Sequence, residues 1–413
     1  MKTAYLTAGV PNVNMTLYWK MRFLVGDPAA VLEFDEKLDF PEAKPTENPD
    51  VLPTPGKTTL LILRDIENER ARAKAKADFV ACPADFAPKA GLSGDREIAT
   101  AQSVAEAFRR AGVTRVISDR SLPLVYVHEL KLAGIECECD VDRGVVERRS
   151  KDPSELAFIH EAQLATEEAI RKACFRIATA TPDKYGRLIA VDGVKLTSEN
   201  MRAFIDKTLL DMGYTNPPSI VAGKKDGGDC HNYGSGELFT GEPIIIDVFP
   251  MNNESLYNGD CTRTVINGEI APIYQKMFEA VRAAKAAATA TIRAGVDGET
   301  VHRATIKALE EHGFGYAAPG DPEAETEIRL THGTGHGLGL SIHEPPLTDF
   351  KGPKLVVGDV VSVEPGLYSK KYGGIRIEDI VAVTEDGCIN LGSPLPEKLD
   401  WLDNPLDDKS LLC

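Results

Sequence analysis

The stretch EPIIIDVFPMNNESLYNGDCTRTV, residues 242–265, decides how the rest of the chain is read. Its run of isoleucines predicts a buried strand that ends in Asp247, where a carboxylate is costly unless it is paired or bound to a cation. The turn-forming Asn252, Asn253, Asn258 and Gly259 lead into a second strand over GDCTRTV, which carries Asp260. A strand, a turn and a strand can bring the two carboxylates together. Alone, the pair carries little weight, because an acidic residue at a strand end is more often simply solvated.

Downstream, THGTGHGLGLSIHEPP (331–346) gathers His332, His336 and His343, three of the chain's 8 histidines. His332 and His336 have the spacing of a helical HExxH zinc motif, but the glutamate is missing. Each of Gly333, Gly335 and Gly337 would also cost about 1 kcal/mol in a helix. The glycines instead allow close backbone approach and place neutral imidazoles where a cation or substrate can meet them. Any one of the three reads as an ordinary loop histidine; the cluster does not.

Two further strands follow. In VVSVEPGLY (360–368) alternation sends Val361 and Val363 one way and Ser362 and Glu364 the other. In GIRIEDI (374–380) it sends Ile375 and Ile377 to the core and Arg376 and Glu378 to the opposite face. Arg376 beside Glu378 reads either as a plain ion pair or as a guanidinium that orients a metal-bound carboxylate or a substrate. Together the candidates amount to four carboxylates and one imidazole. So oxygen-rich a set suits Mn²⁺ or a related ion, with Co²⁺, Fe²⁺ and Zn²⁺ also acceptable. That is more negative charge than one divalent ion needs. Two ions about 3.5–4 Å apart, sharing a water that ionises near neutral pH, fit it better.

The remaining sequence bounds the setting. A chain of 413 residues exceeds the roughly 100–200 residues of one domain. Before the site, TTLLIL (58–63) and TRVISD (114–119) read as strands, and 67–76, 96–112 and 125–134 as helices, an alternation that predicts an α/β domain. RRSKDP (148–153) reads as a linker, which sets domains at 1–150 and 151–413. Beyond it, Ser154 is the expected N-cap of a long helix, with further helices over 271–294 and 299–312. Strands over 242–249, 360–368 and 374–383 make this second domain α+β around a central sheet.

A net charge of −16, from 63 acidic and 47 basic residues, leaves no electrostatic footprint for nucleic acid. The 8 cysteines, at 82, 137, 139, 174, 230, 261, 388 and 413, form no disulfide framework, and Cys137-Glu138-Cys139 receives no function. Pro11, Asn12 and Asn14 interrupt the start of the chain, and no run reaches the ~18 apolar residues of a membrane span, so a cytoplasmic protein without membrane partners is expected.

IIIDVFP, GDCTRTV, HGTGHGLGLSIHEPP, VVSVEPGLY and GIRIEDI, taken in order over roughly 200 residues, resemble the pita-bread metallopeptidases that include aminopeptidase P, prolidase and methionine aminopeptidase. The earlier α/β domain is similar to the creatinase-type domain of the proline peptidases. The resemblance implies a C-terminal pita-bread fold with an N-terminal creatinase-like domain. It also implies hydrolysis of short peptides with proline at the second position, by an Xaa-Pro dipeptidase or aminopeptidase acting as a homodimer.

By matching motif positions, the resemblance assigns two divalent ions to Asp247, Asp260, His336, Glu364 and Glu378. Asp260 and Glu378 would bridge both ions, and Glu364 would double as general base. His343 and His231, the latter in CHNYGSGEL, would face the substrate and its developing charge, while His332 and Arg376 would line the substrate pocket or stand behind the ligands. The loop from Asp247 to Asp260 is longer than the family's usual spacing, and Phe249-Pro250 stand where a glycine is common. A metal-dependent lyase or a creatinase-like amidinohydrolase on the same scaffold is the alternative, and an inactive binding module a further one. Retention of all five ligands speaks against the amidinohydrolase and the inactive module.

Overall fold

The computed structural model describes residues 2–52, 54–393 and 395–402; Cys413 lies outside the described residues. The chain forms two compact units, Met1–Arg148 and Arg149–Cys413.

In the first unit a mixed seven-stranded sheet runs in the order Lys44–Pro45, Phe79–Ala81, Thr58–Ile62, Ala29–Phe34, Thr3–Gly9, Arg115–Ser118, Glu136–Cys139. Both its faces are covered. Leu32, Leu60 and Ile62 pack with Val104, Phe108 and Leu130 of the helices Arg96–Arg110 and Leu124–Leu132. Val31 and Leu61 point the other way, onto Leu17 and Met21 of Met15–Met21 and Ala71 of Asn68–Lys74. Burial on both sides explains why TTLLIL is apolar at every position from Leu60 to Leu63. The helix expected over 67–76 is shorter: a 3₁₀ turn at Asp65–Glu67 precedes Asn68–Lys74, and Ala75 is already extended.

The long helix of the second unit, Pro153–Ala178, begins two residues earlier than expected, capped by Asp152 and not by Ser154. Pro153 takes the first helical position, where its missing N–H costs nothing. The Asp152 carboxylate accepts from the N–H groups of Ser154 (2.8 Å) and Glu155 (2.9 Å), while Glu155 accepts from the Asp152 N–H at 3.0 Å. Ile159, Ala162, Gln163 and Thr166 on its buried face meet the ladder formed by Pro243–Val248 and Cys261–Ile266, in which Asp247 pairs with Thr262.

Two charges of RRSKDP, those of Arg149 and Lys151, are held in ion pairs within this unit. Arg149 grips Asp359 with two hydrogen bonds (2.9 and 2.6 Å), and Lys151 meets Glu344 at 2.6 Å with both side chains almost fully buried. Replacing Lys151 by Met is expected to destabilise the second unit by about 3 kcal/mol, the usual cost of stranding one member of a buried pair. Adding Glu344→Leu should recover at least half of that loss in denaturant titrations; a single variant as stable as the double would contradict the assignment.

The two runs expected as single strands, and the single central sheet, are corrected by the structure. Val360–Val363 and Asp379–Val383 pair within a five-stranded sheet, whereas Gly366–Ser369 and Gly373–Arg376 form a separate hairpin. Val363 pairs with Asp379 and Gly366 with Arg376, so the ladder lapses across Glu364-Pro365 and Ile377-Glu378. Pro365 has no N–H to continue it. Both strands are therefore released at the residues that carry Glu364 and Glu378.

Candidate active site

Asp260 reaches its position because Gly259 has no side chain. A Cβ there would lie 2.2 Å from Thr166 Oγ1 and 2.6 Å from the Ala162 carbonyl, so the strand would be pushed off the long helix. Gln163 on that helix accepts the Asp260 N–H at 3.0 Å. The short strand Gly335–Gly337 brings in His336, and Gly335 packs so tightly on Ser362 that a Cβ would lie 2.1 Å from its carbonyl.

Asp260, His336 and Glu378 each offer a ligand atom within 4.8 Å of the others. Glu364 Oε1 is 3.3 Å from His336 Nε2, and Asp260 Oδ2 is 3.7 Å from it. His336 Nδ1 lies 3.2 Å from the Gly337 carbonyl, which requires the proton on Nδ1 and leaves the Nε2 lone pair facing the carboxylates. Ser362 donates to Glu364 Oε1 (3.1 Å) and accepts from the His336 N–H (2.9 Å), so one hydroxyl fixes both.

Asp247 lies beside this group and is held by Arg376, whose Nη2 donates to Oδ2 at 2.7 Å. Of the two readings of Arg376, the direct ion pair with Glu378 gives way to a pair with the carboxylate of Asp247. Arg376 reaches Glu378 through Thr262, whose hydroxyl accepts from Arg376 Nε (3.1 Å) and donates to Glu378 Oε2 (2.7 Å). Arg376 Nη1 donates to Tyr368 Oη (2.9 Å). Tyr368 in turn donates to His332 Nε2 (2.8 Å), and His332 Nδ1–H donates to the Gly333 carbonyl (2.7 Å). Burial, reinforced by Arg376, depresses His332 to about 3, which fits this neutral tautomer.

Crowded carboxylates leave their mark on ionisation. Burial, then the charges of Glu378, Asp247 and Glu364, drives Asp260 well above the carboxylate range. Glu378 rises likewise through burial, then Glu364 and Asp247. Glu364 is lifted to about 7 by burial, with Arg376 opposing. His336 is lowered, chiefly by burial.

Every residue named from the sequence lies at or beside this cluster. His343, exposed on its outer side, stands edge-to-face against His336 with ring centroids 4.2 Å apart. His231 is exposed and near enough for its charge to bear on His332, His336 and His343. Sequence reasoning missed Thr262, Tyr368 and Gln163, and it placed Ser362 on the face of Glu364 without giving it a role. Thr262 was within reach, since alternation from Asp260 puts it on the same face; nothing local marks Gln163.

The sequence profile described as metallopeptidase family M24 matches residues 157–385. The chain belongs to this family. The M24 chain is 26% identical to the Xaa-Pro dipeptidase of Pyrococcus horikoshii over 288 residues, 68% of this chain and 73% of that protein. It is 32% identical over 200 residues to the probable dipeptidase PepE of Mycobacterium tuberculosis, 48% of this chain and 50% of that one. Among solved structures, the prolidase from P. horikoshii superposes with a TM-score of 0.71 at 20% identity, covering 97% of this chain and 95% of that one. The X-Pro aminopeptidase from Thermotoga maritima superposes with a TM-score of 0.74 at 21% identity, covering 96% and 97%. The fold is the pita-bread fold, and the protein is a metallopeptidase.

The donor set of this M24 enzyme fits divalent cations on its own evidence. Asp247 Oδ1 is buried with no hydrogen-bond partner among the described residues. Four carboxylates there share the positive charge of Arg376 and a neutral imidazole, an imbalance that hard divalent ions relieve.

Proposed function

We propose that the protein hydrolyses the bond between an N-terminal residue and proline, as an Xaa-Pro dipeptidase or aminopeptidase. It would do so with two divalent ions, Mn²⁺ the best match, held by Asp247, Asp260, His336, Glu364 and Glu378. The observation that carries this is the convergence of those five side chains from four separate segments around one buried, proton-hungry pocket. The names borne by the relatives, Xaa-Pro dipeptidase and X-Pro aminopeptidase, support the choice of bond.

Bound there, the ions would acidify a water and polarise the scissile carbonyl. Glu364 takes the proton of the attacking water and hands it to the departing proline nitrogen. His343 and His231 stabilise the carbonyl oxygen as charge develops on it, each donating from one nitrogen. Arg376, through Asp247 and Tyr368, holds the wall of the pocket in place, with His332 behind it. The reading extends to the first unit as a creatinase-type domain, supported by structural neighbours that cover 96–97% of the chain and not only its second unit.

Release of the first residue from Xaa-Pro, Xaa-Pro-Xaa and Xaa-Ala peptides by the Mn²⁺-loaded protein tests this. Expected is cleavage before proline at least about tenfold faster than before alanine, the discrimination one well-shaped pocket supplies. Xaa-Pro against Xaa-Pro-Xaa separates dipeptidase from aminopeptidase. Absence of turnover on all three would reject the reading.

A further inference from the structure

On the side of the strands that faces away from the cation site, Arg263 is 1% exposed, and its guanidinium makes five hydrogen bonds to oxygen acceptors. Nε donates to the Pro396 carbonyl (3.1 Å), Nη1 to the carbonyls of Thr262 (2.9 Å) and Glu378 (2.6 Å), and Nη2 to Asp379 Oδ1 (2.8 Å) and the Leu395 carbonyl (3.0 Å). Lys285 completes the cluster, joining Asp379 and, at 2.6 Å, Glu397.

The arrangement repeats itself across the two strands. Thr262 and Glu378 turn into the site and bond to each other, while their successors Arg263 and Asp379 turn away and bond to each other. The Glu378 peptide is held from both ends: its N–H donates to the Thr262 carbonyl at 3.1 Å and its C=O accepts from Arg263. It sits where the ladder lapses, so no strand pairing fixes it.

A buried ion cluster is seldom required for stability, because packed apolar side chains in its place are commonly neutral or better. What they cannot do is hold a carbonyl at a set point. We propose that Arg263, oriented by Asp379, is a positioning residue that fixes Glu378 against Asp260 and thereby sets the affinity of the cation site. This rests on the metallopeptidase reading above.

The test is calorimetric titration of the metal-free full chain with Mn²⁺, comparing wild type, Arg263→Lys and Lys285→Met. Lysine keeps the charge but lacks the planar fork that serves four carbonyls and a carboxylate at once. Arg263→Lys should bind Mn²⁺ about 10- to 100-fold more weakly, the usual effect of losing a group that orients a ligand. Its kcat on an Xaa-Pro peptide should return towards the wild-type value as Mn²⁺ is raised, which a general loss of folding would not allow.

Lys285→Met disturbs the same cluster without touching the Glu378 carbonyl and should stay within about threefold of wild type. Should Arg263→Lys not fold, Asp379→Asn takes its place with the same expectation. Wild-type affinity in the Arg263 variant, or an equal loss in the Lys285 variant, overturns the proposal. A wild-type protein that binds no Mn²⁺ overturns the peptidase reading instead, and this inference with it.

Discussion

Substituting Glu364 by Gln lowers kcat on an Xaa-Pro peptide by about a thousandfold, in the middle of the 10²- to 10⁴-fold range that a positioned general base contributes. The amide fills the same space and can still accept the Ser362 hydroxyl, but it has no lone pair basic enough to take a proton from water. Loss of the fold is not the cause expected. Burial lifts Glu364 from 4.5 to about 7, so at pH 8 the folded metal-free protein carries an ionised group it would rather protonate, among three further carboxylates. Gln removes that charge, and the metal-free variant should melt no lower than wild type at pH 8. Turnover at saturating Mn²⁺, Mn²⁺ content and the melting midpoint together decide it. A variant that keeps a tenth of wild-type kcat with its metal bound would end the assignment of Glu364 as base.

How much of this could be read from the residues varies with how local the cause is. Alternation placed Ser362 with Glu364 and Arg376 with Glu378, because a strand's period fixes side-chain direction without knowledge of its partners. It also separated Ile375 and Ile377, which the structure buries in the core. What alternation could not give was partner choice: Arg376 turns to Asp247, which arrives from a distant segment. The break at Glu364-Pro365 was signalled by proline, yet the matching break at Ile377-Glu378 has no local mark and follows only from the pairing. RRSKDP reads as a linker from its charges and its proline, whereas Lys151 and Arg149 are anchored by Glu344 and Asp359, far along the chain. Ser154 yields the cap to Asp152 because proline takes the first helical position, which moves the start back by two residues. Where the cause is not local, as for Arg376, Glu378, Arg149 and Lys151, long-range pairing supplies what local pattern lacks.

Stripping divalent ions with a chelator should abolish turnover and lower the melting point of the second unit, and the drop should be larger at pH 8 than at pH 6. An ion present at a hundred times its dissociation constant stabilises by about 2.7 kcal/mol per site, so the effect is measurable by scanning calorimetry. Its pH dependence follows from the raised carboxylates. Glu364, with a folded value of about 7 against 4.5 when unfolded, keeps its proton in the metal-free fold below that value, and burial with the neighbouring carboxylates raises Asp260 and Glu378 as well. Protonation thus stabilises the metal-free fold at low pH. That contribution is lost as pH rises from 4.5 through 7 and beyond.

A cation must displace these protons, so its affinity rises over the same window and the gap between loaded and stripped protein widens upward. His336 does not offset this, since burial already holds it neutral and its free Nε2 has no proton to give up. Titrating Mn²⁺ in two buffers of different ionisation enthalpy should register proton release at pH 6 that diminishes by pH 8. A gap that is flat or grows towards acid would mean these carboxylates are not where the cations bind, because binding at groups that hold protons in the metal-free fold must weaken as pH falls.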